Sequence, residues 1–269
     1  MAAVQTGKAG GGDIRPRKRL ERPPVEFEPI SPLRAHEYVA EQIRRHIALR
    51  LISPGEALPS ERELAATFEV GRPTVQHALR LLEADGLLTA RRGRGGGTVV
   101  SAPSDSSRGM DGLVARVRRG REEIEQTLVY RRVVEPQVAR LAAKTRRKAD
   151  LVAMRRSIEE MTDPPDEDHY MRHDTELHLA LARATRNGLL LEAIELVRLQ
   201  LNDAFVLQPE SDLWHRRIAT EHDSIVDAVE ARDGDAAREA MEAHIESTEK
   251  GVRALLAWVR PPAPPRAGR

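Results

Sequence analysis

Three histidines and one aspartate stand where helical periodicity asks for apolar side chains. Asp174 and His178 are four residues apart, hence on one face of a helix. His222 falls in the stripe Ile218, His222, Ile225, Val229, and His244 in the stripe Met241, His244, Thr248, Val252. One histidine on an apolar face is ordinarily a satisfied core residue. Three imidazoles and a carboxylate suit a divalent cation (Zn²⁺, Ni²⁺ or Mn²⁺) with open positions for a ligand. The residue types do not choose among the three metals.

A second interruption lies upstream. Ile124, Leu128, Arg131, Glu135, Val138 and Ala142 share one helix face, so two charges enter an inward stripe. Buried charges are costly unless paired. Two readings stand: Arg131 and Glu135 pair at i, i+4, or Arg131 faces a cavity and clamps an anionic ligand. A metal-dependent hydrolase is the alternative for the whole set, since a cation among such ligands can activate water. No His-Glu-x-x-His motif and no nucleophile elbow accompanies it. His169 and His173 sit on a polar, acidic stretch and are expected to be exposed. His36, His46 and His215 have no inferred partners, and Asn187-Gly188 reads as a turn.

These residues need helices to carry them. Periodicity predicts helices over 112–119, 121–145, 147–161, 166–186, 188–206, 211–232 and 234–258. The breaks fall at Asp163-Pro164-Pro165, Asn187-Gly188, Gln208-Pro209 and Asp233-Gly234. Upstream, Val39, Ile43, Ile47 and Leu51 mark a helix from about Leu33 to Leu51. Ser60 with Glu63 forms a capping-box pattern that opens a second helix. Pro73 suits the first turn of a third, which Asp85-Gly86 stops. Leu87–Ala90 and Thr98–Ser101 then read as strands of a hairpin around a basic, glycine-rich tip, 91–97. Three helices and a hairpin make a winged helix-turn-helix, whose third helix enters a major groove.

The fold class is therefore mainly α: a winged helix-turn-helix followed by an all-helical bundle of six to seven helices. The expected organisation is a disordered basic arm (1–30), the winged domain (31–101), a linker (102–111), the helical domain (112–258) and a disordered tail (259–269). Residues 1–101 hold 16 Lys and Arg against 12 Asp and Glu, and the remainder 27 against 30. That asymmetry points weakly toward nucleic acid. Aromatics at 3% argue against a base-stacking single-strand binder. With no cysteine, disulfides and thiolate zinc sites are excluded. No apolar run reaches membrane-spanning length and no signal peptide is visible, so a cytoplasmic protein is expected.

The stretch LISPGEALPSERELAATFEVGRPTVQHALRLLEADGLLTARRGRGGGTVV (51–100) resembles the GntR family of bacterial regulators. YRRVVEPQVARLAA, HDTELHLALARATRNGLL and EHDSIVDAVEARDGDAAREAMEAHI resemble the FCD ligand domain of its FadR-type branch. The resemblance implies a homodimer on a pseudo-palindromic operator, and DNA contacts from Arg62, Arg72, Thr74, Gln76, Arg92 and Gly93. It implies a metal set of Asp174, His178, His222 and His244. A small carboxylate effector, held by the metal and Arg131, would then release a repressor from double-stranded DNA. The chain departs from the family pattern at Gly71, where a serine is common, and at Gln76, where an arginine is. Glutamine favours adenine over guanine, so the operator is expected to differ, unless one contact is simply lost.

Overall fold

The computed structural model describes residues 34–91, 97–101, 109–208 and 212–259. Those residues form ten helices and one two-stranded sheet. Helix α1 (Ala35–Ala48) buries Val39, Ala40 and Ile43. It stops short of the predicted Leu51 because Arg50 turns into the left-handed region, at φ 60°. Helix α2 (Glu61–Thr67) opens on the expected capping box: Ser60 Oγ accepts from Glu63 N at 3.3 Å, and Glu63 Oε2 accepts from Ser60 N at 2.8 Å. Helix α3 (Arg72–Ala84) starts at Gly71 with Pro73 in its first turn and turns Val75, Ala78, Leu79 and Leu82 inward. Gly86, at φ 67°, makes the turn that the left-handed region allows glycine at little cost.

Strands β1 (Leu88–Arg91) and β2 (Gly97–Val100) pair antiparallel, Leu88 opposite Val100. Each is shifted by one residue from the predicted span. Val39, Ile43, Leu64, Leu79, Leu82 and Val100 belong to one small core.

A second, larger core is built by α4 (Met110–Arg119), α5 (Arg121–Thr145), α6 (Lys148–Thr162), α7 (Glu167–Ala184), α8 (Gly188–Val206), α9 (Asp212–Glu230) and α10 (Gly234–Trp258). Helix α5 is central: it packs on α7, α8, α9 and α10. Asn187 caps α8, its side chain accepting from Leu189 N and Leu190 N. Asp233 caps α10 in the same way. A Cβ on Gly251 of α10 would lie 1.8 Å from Oε1 of the buried Gln208, so glycine there lets Gln208 pack on the helix backbone.

Polar contacts join the two cores. Arg50 reaches Asp168 at 3.1 Å and Asp203 at 3.3 Å. Arg172 of α7 meets Ser53 Oγ at 2.9 Å and also pairs with Glu56. Asn202 of α8 donates to the Leu49 carbonyl at 3.2 Å, where both residues are buried. Among the described residues no helix is long and apolar enough to cross a membrane.

Candidate metal centre

Helix α7 supplies Asp174 and His178, α9 supplies His222, and α10 supplies His244. All four are buried. One ring nitrogen from each of the three histidines lies within 4.8 Å of the others. Asp174 Oδ1 lies 3.4 Å from His222 Nε2 and 3.9 Å from His178 Nε2. Four residues that lie as far as 70 positions apart, Asp174 to His244, thus share one small volume.

The surroundings fit a cation. His178 Nε2 and both nitrogens of His222 are buried without a hydrogen-bond partner. His178 Nδ1 lies 3.1 Å from Glu135 Oε2, and His244 Nδ1 lies 3.1 Å from Glu221 Oε2. A carboxylate behind one imidazole nitrogen orients the ring and leaves the other nitrogen for a metal. Burial lowers the proton affinity of His222 and His244, with the neighbouring histidines and arginines adding to it and Asp174 opposing; His244 falls to about 3. Both are therefore neutral at pH 7, the form in which imidazole binds metal. Burial is the largest influence on Asp174 and works against its charge, yet Arg198 and the three histidines together hold the carboxyl below its usual range.

Arg131 makes the expected pair and also lines a cavity. Its Nε donates to Glu135 Oε1 at 2.8 Å, as an i, i+4 pair. Its Nη1 meets Thr248 Oγ1 at 3.4 Å on the wall of a cavity beside the histidines. Glu135 thereby links Arg131 to His178. Burial opposes its charge, but Arg131 and His178 keep it ionised well below the usual carboxylate range. The cavity measures about 20 Å³ and is lined also by Arg198, Phe205 and Trp214. That is room for one water or one ion.

Arg198 escaped the sequence reading. It pairs with the other oxygen of Asp174 and contacts Thr175 Oγ1 at 3.3 Å. The signal was present: Ile194, Arg198, Leu201 and Phe205 form an inward stripe with one charge in it, as at Arg131. His173 corrects the expectation of exposure, being only 7% exposed. It sits on α7 beside the half-buried His169, where α6 covers it. His36 has a partner after all, stacking on His77 at 3.8 Å between ring centroids.

Residues 35–100 match the family model for bacterial regulatory proteins of the gntR family, and 126–247 match the FCD domain. The HTH-type transcriptional repressor NanR of Citrobacter rodentium is 30% identical over 84% of this chain and 88% of its own. The HTH-type transcriptional regulator LutR of Bacillus subtilis is 31% identical over 74% of this chain and 92% of its own. The Uxu operon transcriptional regulator of Escherichia coli K12 is 30% identical over 81% and 86%. This chain belongs to the GntR family. It is a transcription regulator with an FCD domain, and the relatives it matches are named as regulators.

Four of the residues expected to contact DNA lie on α2 and α3. Arg62 and Arg72 are exposed and Thr74 is half-buried. Gln76 Nε2 donates to Glu61 Oε2 at 2.8 Å, and Arg72 Nη2 lies 3.5 Å from the same oxygen. One carboxylate at the start of α2 thus holds both side chains. Arg92 and Gly93 lie outside the described residues, as do the N-terminal arm, most of the linker and the C-terminal tail.

Proposed function

We propose that this GntR regulator is a repressor whose FCD domain holds a divalent cation and a small carboxylic acid, and that binding the acid releases the operator. The observation that carries this is the convergence of His178, His222, His244 and one oxygen of Asp174 around unpartnered buried nitrogens. In this reading 31–101 is the DNA-binding domain and 112–258 the effector domain. The repressor acts as a homodimer, matching the two-fold symmetry of a pseudo-palindromic operator.

Bound there, Zn²⁺, Ni²⁺ or Mn²⁺ supplies Lewis-acid coordination for a carboxylate oxygen. The chain's own residues do the rest. Arg131 Nη1 takes the acid's second oxygen, and Glu135 keeps that guanidinium and the His178 ring in place. The low-dielectric cavity strengthens each of these charge contacts. A cavity of about 20 Å³ does not admit an organic acid as it stands, so side chains on its wall must move on binding. That movement gives the two states the different affinities a switch requires.

A buried polar chain connects the site to the reading head. Asp174 meets Arg198, Arg198 meets Thr175, Thr175 accepts from Asn202 at 3.3 Å, and Asn202 donates to the Leu49 carbonyl at the end of α1. We infer that the domains communicate through it.

The test is a thermal midpoint measured across a panel of small carboxylic acids, with and without chelator. An acid at 100 times its dissociation constant adds about 2.7 kcal/mol, and chelation removes that shift. His222→Ala lowers metal content and abolishes the shift, while it still binds operator with the affinity of chelated wild type. Metal content equal to wild type in His222→Ala would sink the assignment.

A further inference from the structure

A second group of ligand-type side chains lies on the opposite side of α7. Glu160 of α6 and His169 and His173 of α7 each bring one donor atom within 4.8 Å of the other two. His169 and His173 are four residues apart, so both imidazoles project from one face. At about 100° per residue, Asp174 lies about 140° around the helix from His169. One ion cannot serve both groups.

We propose that Glu160, His169 and His173 form a second divalent-cation site that ties α6 to α7. The ligand chemistry is two imidazoles and a carboxylate, a set that takes Zn²⁺, Ni²⁺ or Co²⁺ and leaves positions for water. His173 is buried to within 7% exposure, and its ring lies 4.5 Å from that of His169, tilted by 54°. Its Nδ1 lies 2.8 Å from Glu176 Oε2. A carboxylate behind one nitrogen leaves the ring's other nitrogen available as a ligand. Tetrahedral metal–nitrogen bonds of this type place donors about 3.4 Å apart. Small side-chain rotations therefore close the group.

The local field favours a cation. Residues 157–171 carry six carboxylates (Glu159, Glu160, Asp163, Asp166, Glu167, Asp168) and no lysine or arginine. One competitor is Arg156, 3.9 Å from the other Glu160 oxygen; its side chain is 75% exposed and is free to swing into water. A plain hydrogen bond between His169 Nε2 and Glu160 Oε2, at 3.1 Å, is the competing account. It satisfies His169, and Glu176 engages only Nδ1 of the buried His173, which leaves that ring's other nitrogen for a metal.

The placement matters for the regulator. Asp168 and Arg172, on the same turns of α7, meet Arg50, Ser53 and Glu56 of the winged domain. A cation clamping His169 and His173 to α6 stiffens the end of α7 that carries the reading head.

The experiment is zinc content per protomer after equilibration with excess Zn²⁺ and desalting, using the full chain. Wild type holds two equivalents. His169→Ala holds one, and Glu160→Gln weakens the second equivalent at least tenfold in a zinc titration. His222→Ala also holds one, the other one. Both His169 and Glu160 are half-buried, and equal thermal midpoints of the chelated variants and wild type show the fold is kept. Zinc content and titrations unchanged in His169→Ala and Glu160→Gln overturn the proposal. One equivalent in wild type, removed by His222→Ala alone, overturns it and leaves the central site standing. One equivalent removed by His169→Ala alone supports this site and overturns the central one.

Discussion

Arg198 holds one oxygen of Asp174, while the other oxygen faces His222 at 3.4 Å and His178 at 3.9 Å. The carboxylate is thus divided between a permanent cation and the histidine cluster. Both partners are buried, Arg198 at 2% and Asp174 at 8% exposure. An arginine that fixes a ligand from behind plays the part that Glu135 and Glu221 play for His178 and His244.

Removing that arginine should therefore hurt the metal-free protein most. Arg198→Met leaves Asp174 as an uncompensated buried charge, a loss of about 3–5 kcal/mol. A divalent cation beside Asp174 supplies the missing charge. Urea midpoints of Arg198→Met should fall steeply with chelator and recover in part with Zn²⁺. Equal losses in both conditions would separate Asp174 from the metal.

The metal-free protein should also weaken in mild acid. His222 and His244 have proton affinities depressed in the fold, His244 from 6.5 to about 3. Below pH 6.5 the unfolded chain binds protons that the folded chain refuses. Their contribution is thus full above that pH and is lost as pH falls toward 3. His244 alone removes about 2 kcal/mol between pH 7 and pH 5. Asp174 and Glu135, also depressed, act in the same direction at lower pH. Urea unfolding of chelated protein at pH 7, 6 and 5 checks this. A stability independent of pH across that range would contradict neutral, buried imidazoles.

Much of this was legible before any coordinates. Helix faces follow from period, so Arg131, Glu135, His222 and His244 were visible as polar residues on apolar stripes. Their convergence follows from packing, which period does not encode. Arg198 broke a stripe of its own but had no opposite charge four residues away to draw notice. His173 was misread because its neighbours in sequence, Glu167, Asp168 and Arg172, are charged. The cover over His173 comes from α6, a contact that no local pattern announces. Arg50 ends α1 early through its left-handed backbone. That conformation costs a non-glycine residue about 1–2 kcal/mol, and its pairing with Asp168 and Asp203 offsets the cost.

The reading helix offers a prediction on sequence preference. Glu61 holds Gln76 and Arg72 when no DNA is present. On DNA, Gln76 is expected to pair with an adenine and Arg72 with a guanine. Gln76→Ala should cost about 1–3 kcal/mol at the preferred half-site and flatten the preference at one base pair. Glu61→Gln should tighten binding to every sequence, because it removes a negative charge from the face expected to meet the phosphate backbone. Fluorescence anisotropy on operators substituted one base pair at a time reads both. A Gln76→Ala variant with unchanged affinity and unchanged preference would mean that the family's arginine contact has simply been lost.

The polar chain from Asp174 to Leu49 is the most direct link between the metal centre and α1. Asn202 is its middle member: it touches Thr175 on one side and the Leu49 carbonyl on the other, and is 1% exposed. Asn202→Leu keeps the branched shape and removes both hydrogen bonds. It strands the Leu49 carbonyl, at about 1–3 kcal/mol of stability. The informative quantity is coupling: operator affinity measured with Zn²⁺ and with chelator. In wild type the ratio should differ from unity by a factor of about 5–150, the usual range for linked sites. In Asn202→Leu it should fall toward one while zinc content stays the same. Linkage is reciprocal, so the effect of operator DNA on zinc affinity should shrink by the same factor. A ratio equal to wild type in a folded, zinc-loaded Asn202→Leu would show that the two domains communicate by another route, such as the Arg50 and Arg172 ion pairs.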